Sequence, residues 1–253
     1  MIIAGASNSL PFRLEGVVCR RCDYSYLPSE QLASVRHFDQ GWDAAKQGVF
    51  DLSAPGSRGS AWLDLPPTLA LAVTRRRADY FAGRICASLA IKELTGRSHD
   101  IPIMADRSPA WPKGTLGSIS HTADHAVAIA ASTGLYRLLG VDVEKLISQE
   151  QLQAVRELAC CDGDIEFQPV EMPYDAFLTL IFSAKEAVYK AAYPLVRQVL
   201  DFKEVIVLDI TATTIRLAFR RTSPFAGIIP ISIPVLYRFC GPLCFCVAYD
   251  TCL

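Results

Sequence analysis

Gly140-Val141-Asp142-Val143-Glu144, followed further along by Phe182-Ser183-Ala184-Lys185-Glu186-Ala187-Val188-Tyr189-Lys190-Ala191, is the part of this chain that fixes how the rest is read. The first run alternates and reads as a strand. Residues two apart on a strand share a face, so Asp142 and Glu144 lie on one side and Val141 and Val143 on the other. Two neighbouring carboxylates repel unless a cation sits between them, and hard oxygen ligands suit Mg²⁺. The same spacing also suits an edge strand with a solvated acidic face. The second run has helical periodicity. Phe182, Glu186 and Lys190 fall on one face at i, i+4 and i+8, while Phe177, Ile181, Ala184, Val188 and Ala191 form an apolar stripe on another. Glu186 and Lys190 read either as an ordinary helix-surface ion pair or as a metal ligand or base beside a phosphate-binding cation.

Outward from these runs the chain alternates helical and strand-like segments. Ala78, Phe81, Ala82, Ile85, Leu89 and Leu94 recur at helical spacing from Arg75, and Gly96 supplies a stop. Arg75, Arg76 and Arg77 crowd the first turn of that helix, the end where the dipole disfavours cations, which points to an anion outside it. A turn-rich stretch over residues 106–114 precedes strands at 116–120, 126–131 and 138–144. Ser148 and Gln151 make a capping-box start for a helix. Another helix runs from Tyr174 to Tyr193 and stops at Pro194. Strands at 205–210, 214–219, 231–239 and 244–249 close the chain. The fold class is α+β with mostly antiparallel pairing. Residues 1–60 give no clear pattern beyond an exposed loop at residues 54–60.

Composition narrows the function. A chain of 253 residues that is 51% hydrophobic and 20% charged builds a compact core. A net charge of −1 is wrong for a nucleic-acid binder. No apolar run is long enough to cross a bilayer, and residues 1–9 lack a basic, apolar leader, so the cytoplasm is expected. The 9 cysteines are scattered. Cys19 and Cys22 have the spacing of a metal knuckle without a matching second pair, so reduced, mostly buried thiols are expected. Gly117-Ser118-Ile119-Ser120-His121 can present a hydroxyl and an imidazole to a phosphate, or end in a simple loop histidine. No nucleophile elbow, P-loop or dinucleotide fingerprint is present.

Taken in order, Arg76 to Arg84, the Trp111-Pro112 turn, Gly117 to His121, Gly140 to Lys145 and Phe182 to Ala191 resemble the 4′-phosphopantetheinyl transferases of the surfactin-type class, enterobactin-synthase-associated subgroup. The Gly-x-Asp-x-Glu strand with the Ser-x-Lys-Glu-x-x-x-Lys helix is the specific pair. Phe182 stands where much of the family has Trp, and Thr122 where Cys is common. The resemblance implies two similar α+β halves related by a pseudo-twofold axis, divided here into residues 1–137 (coenzyme A side) and 138–253 (metal-binding carboxylates). It implies transfer of 4′-phosphopantetheine from coenzyme A to a serine of an acyl or peptidyl carrier protein, releasing adenosine 3′,5′-bisphosphate. Asp142, Glu144 and Glu186 would hold Mg²⁺, and Glu186 or a water at the cation would take the serine proton. Ser120, His121 and Lys190 would meet the phosphates. Arg76, Arg77 and Arg84 would meet the 3′-phosphate and its neighbours. Arg107, with Lys113 next, stands nearest the family's coenzyme A lysine. A monomer is expected. The carrier's pathway, whether fatty acid, polyketide or siderophore, stays open.

Overall fold

The computed structural model describes residues 14–26, 32–38, 45–51, 65–69, 71–122, 124–225 and 227–252. Residues 1–9 and the loop expected at 54–60 lie outside them. Two compact units divide between Ala131 and Ser132.

The first unit holds β1 (Val18–Tyr26), β2 (Leu32–Phe38), β3 (Ala45–Asp51), α1 (Thr74–Thr95), β4 (Thr115–Thr122) and β5 (His125–Ser132). Its sheet runs β3-β2-β1-β5-β4, with β1 antiparallel to both β2 and β5. The early strands are thus a part of the fold that the sequence reading did not resolve. Helix α1 lays Ala78, Phe81, Ala82, Ile85, Ala87 and Ala90 against Ala126, Ala128 and Ala130 of β5. Small residues on both surfaces let helix and sheet approach closely. Gly96 ends α1 at φ 73°, a conformation cheap only for glycine, and its N–H bonds Lys92 O.

The second unit holds β6 (Tyr136–Lys145), α2 (Leu152–Ala159), α3 (Tyr174–Val196), β7 (Val205–Ile210), β8 (Thr214–Phe219), β9 (Ile233–Cys240) and β10 (Leu243–Thr251). The sheet runs β6-β10-β9-β8-β7, antiparallel throughout. Helix α3 covers it: Phe177, Ile181, Ala184, Val188 and Ala191 share a core with Leu138, Ile215, Leu217 and Val235. The apolar stripe read from sequence is therefore the buried face.

Two boundaries differ from the reading. Helix α3 continues through Pro194 to Val196 and ends at Arg197 in the left-handed region (φ 52°), whose N–H bonds Tyr193 O. Proline this near a helix end removes one donor and leaves the last carbonyls to the cap. The Ser148-Gln151 pair makes a turn ahead of a helix: Gln151 Oε1 accepts from Ser148 N at 3.4 Å, and α2 starts at Leu152. Side chain and backbone there close a turn before the first α-helical bond forms.

Candidate functional site

The even-numbered residues of β6 face α3. Leu138 enters the core. Gly140 lies directly beneath the helix: a Cβ built on it would stand 2.1 Å from Ala187 O and 2.6 Å from Ala191 N. That close approach, possible only without a side chain, brings α3 down onto the next residue of the row, Asp142. Asp142 is 1% exposed, so the solvated-face alternative does not hold. Ser183 Oγ donates to its Oδ2 at 2.7 Å, and Lys190 Nζ to its Oδ1 at 2.6 Å. Cys246 and Cys244 of β10 pair with Asp142 and Glu144 and so share their face. The two sulfurs are 3.9 Å apart. The Cys244 thiol is pushed well above its usual range by that contact, by burial, and by the charges of Asp142 and Glu144.

Glu186 completes the electrostatics. Burial lifts its carboxyl above the ordinary value; Lys190 works against the lift and Asp142 adds to it. A buried acid whose carboxyl is lifted further by the charge of a neighbouring carboxylate has the chemistry a divalent cation relieves. The residues fit such an ion in type, with hard oxygens and a nearby lysine. Yet among the described residues no three His, Cys, Asp or Glu side chains are gathered at metal-holding distance. Both oxygens of Asp142, a strand member of the three-acid set read from sequence, are engaged from α3 by Ser183 and Lys190. Lys190, read as a partner of Glu186 or of phosphate, bonds the strand carboxylate of Asp142 and also acts on Glu186, whose proton affinity its charge holds down.

In the first unit, Gly117, Ile119 and His121 alternate toward one face of β4, and Ile119 packs with the α1 core. His121 accordingly meets α1: its Nε2 lies 3.1 Å from Arg76 Nη1 and its Nδ1 3.8 Å from Asp79 Oδ2. A guanidinium can only donate, so this contact needs Nε2 unprotonated and the ring proton on Nδ1, toward the carboxylate. Asp79, 8% exposed, lies in the Arg76-to-Arg84 run but was given no role from sequence, because a lone acid in a helix reads as surface. Ser120 is buried and, as the next residue along the strand, points to the opposite face from His121. The hydroxyl and imidazole therefore do not form a pair.

The arginines divide. Arg76 is exposed at the start of α1, where no side chain caps the helix and no acid stands in the first turn. Arg77 Nε donates to Ala72 O at 2.7 Å, so it has a structural partner at the helix entry. Arg84 is 6% exposed, packs over Tyr80 at 5.3 Å, and leaves Nη1 without a hydrogen-bond partner. Burial lowers its proton affinity. Arg107 is exposed at the tip of a hairpin, at φ 68°, closed by Arg107 N to Met104 O and Met104 N to Ser108 O, both 2.9 Å. Lys113 is exposed in the turn before β4.

The sequence reading quoted Lys185 within the Ser-x-Lys-Glu run of α3 but gave it no role. Lys185 Nζ donates to Asp164 Oδ2 (2.6 Å), Ala159 O (2.7 Å) and Phe202 O (3.2 Å), with both side chains 1% exposed. Asp164 also accepts from Cys161 N and Val207 N, each at 2.9 Å. The network ties α3 to the end of α2 and the start of β7. Phe182 stacks on Phe202 at 5.2 Å, with the rings 20° from parallel. No helix among the described residues is long and apolar enough to cross a membrane.

Comparison with known proteins follows the same two units. Residues 66–131 match the 4′-phosphopantetheinyl transferase N-terminal domain, and residues 138–229 the 4′-phosphopantetheinyl transferase superfamily. The chain is 38% identical over 173 residues to enterobactin synthase component D of Salmonella typhimurium, covering 66% of this chain and 70% of that protein. It is 31% identical over 144 residues to the 4′-phosphopantetheinyl transferase Npt of Nocardia iowensis (54% of this chain, 60% of that one). With PptT of Mycobacterium tuberculosis it shares 29% over 150 residues (58% and 65%).

Proposed function

The chain belongs to the 4′-phosphopantetheinyl transferase superfamily, and from that membership we propose that it moves the phosphopantetheine arm of coenzyme A onto a serine of an apo carrier protein. The observation that carries the reading is the row on β6 and α3: a buried Asp142 bonded to Lys190, beside a Glu186 whose carboxyl is lifted by burial and by Asp142. It is the arrangement of acids and ammonium that a pyrophosphate donor and a divalent cation need, on residues that lie within the superfamily match.

In this proposal Asp142 and Glu186, with Glu144 two residues along the strand, hold Mg²⁺. That ion supplies charge neutralisation at the pyrophosphate and orients the phosphorus for attack. The protein's own groups do the rest. Glu186 takes the proton from the attacking serine, a role suited to a carboxyl whose proton affinity burial has raised. Lys190 meets the phosphates of the donor. Arg76, His121 and Arg84, whose free Nη1 lacks a partner, supply anion contacts for coenzyme A in the first unit. Arg107 and Lys113 are the remaining coenzyme A candidates, and Arg77 keeps its backbone contact. The Ser120 hydroxyl, on the opposite face of β4, is left out. The carrier class, single-chain state and cytoplasmic setting belong to the same proposal.

Mass spectrometry of an apo carrier protein incubated with coenzyme A and Mg²⁺ tests it. The expected result is a mass gain of one phosphopantetheine group, lost in Asp142→Asn and Glu186→Gln. No gain across a panel of apo acyl and peptidyl carriers would refute it.

A further inference from the structure

The carboxylate of Asp142 is held from α3 by Ser183 and Lys190, and these two residues differ in burial. Asp142 sits in mid-strand with its side chain 2% exposed. Ser183, which holds Oδ2 at 2.7 Å, is fully buried in the body of α3. Lys190 holds Oδ1 at 2.6 Å, but its side chain is 25% exposed. It reaches in from the solvent side on a flexible four-carbon stem, as a compact point charge. Of Ser183 and Lys190, it is Lys190 that can leave.

We infer that Lys190 is an exchangeable cation: it holds Asp142 until a divalent ion takes that carboxylate, and the released ammonium then meets the phosphates of the donor. This rests on the reading of the site as metal-dependent given above. Geometry alone does not forbid both cations on one oxygen, which has two lone pairs. Electrostatics opposes it, since an ammonium and a divalent ion on one buried oxygen stand a few ångströms apart and repel. The same lysine also counters the charge of Glu186. Its departure therefore leaves two acids needing a cation, which the divalent ion supplies. The anionic donor gives the ammonium its new partner. Metal and coenzyme A binding are coupled through one side chain, each making the other's site available.

The consequence is specific: Lys190 weakens metal binding when no donor is present. Mn²⁺ is the probe, with free ion followed by electron paramagnetic resonance during titration of the full chain. Without coenzyme A, Lys190→Met and Lys190→Gln bind Mn²⁺ at least about tenfold tighter than the parent, the low end of what a close charge pair is worth. The KM for coenzyme A rises in both. Lys190→Arg keeps the charge and grips the carboxylate with a planar fork, so it binds Mn²⁺ several-fold more weakly than the parent. That variant carries the test if the neutral ones do not fold by circular dichroism. Looser or unchanged Mn²⁺ binding in the neutral variants, or parent-like binding in Lys190→Arg, overturns the exchange and makes Lys190 a support for Asp142. If parent and variants alike bind no Mn²⁺, with or without coenzyme A, the metal-dependent reading itself fails.

Discussion

Gly140→Ala is the smallest substitution that reaches the site, because it adds one methyl at the point where α3 rests on β6. That carbon would stand 2.1 Å from Ala187 O, 2.6 Å from Ala191 N and 2.9 Å from Ala191 Cβ. Two of the three are backbone atoms of a helix, so no side-chain rotation relieves the clash. Restoring ordinary contact at about 3.5 Å requires α3 to retreat by roughly 1 Å or more. Overpacking of this kind costs about 1–3 kcal/mol, which lowers the melting temperature of a chain this size by about 2–10 °C. The larger effect is on the site. Lys190 and Ser183 hold Asp142 at 2.6 and 2.7 Å from the same helix, and a 1 Å shift takes both past hydrogen-bond range. Misplacement of that size costs about a hundredfold in rate. The assay pairs thermal unfolding with transfer kinetics on an apo carrier protein. Gly163→Ala is the control: nothing lies within 4 Å of a Cβ there, so it should stay within about 0.5 kcal/mol of the parent. A Gly140→Ala protein that melts and turns over like the parent would show that the close approach of α3 does not set the geometry of Asp142.

Glu186→Gln should raise the melting temperature at pH 7 while abolishing transfer. Burial lifts the Glu186 carboxyl above its ordinary 4.5, so the folded chain holds that proton more tightly than the unfolded one, and stability falls as pH rises from 4.5 through the folded value. The gap between variant and parent should therefore close below pH 4.5; a gap independent of pH would remove the charge as its cause. Lys185→Met should be the more damaging of the two lysine truncations on α3. It strands Asp164, 1% exposed, at a cost of about 3–5 kcal/mol and a fall of roughly 10 °C or more. Melting within about 2 °C of the parent would show the network to be dispensable.

What the sequence made legible is what periodicity and local chemistry encode. The four C-terminal strands and the apolar stripe of α3 follow from alternation of period two and period 3.6, and Gly96 stops α1 because a left-handed cap favours glycine. Asp142 and Glu144 could be placed on one face from their spacing alone. What stayed hidden depends on partners distant in sequence. Lys185 and Glu186 are neighbours with opposite fates: the lysine is sealed against Asp164, brought in by the 3-10 turn at Asp162–Phe167, while the glutamate lies beside Asp142 on the strand side. No local rule separates them, since a charged residue on a helix reads as solvent-facing until the element packed over it is known. The i, i+4 spacing of Glu186 and Lys190 offered a helix-surface pair, and the fold offered Lys190 a buried carboxylate one layer away. A desolvated acid gains more from an ammonium than a solvated one does, and Asp142 is more deeply buried than Glu186. That preference also gives Lys190 a stronger first partner than the sequence supplied, and a divalent ion must compete with it.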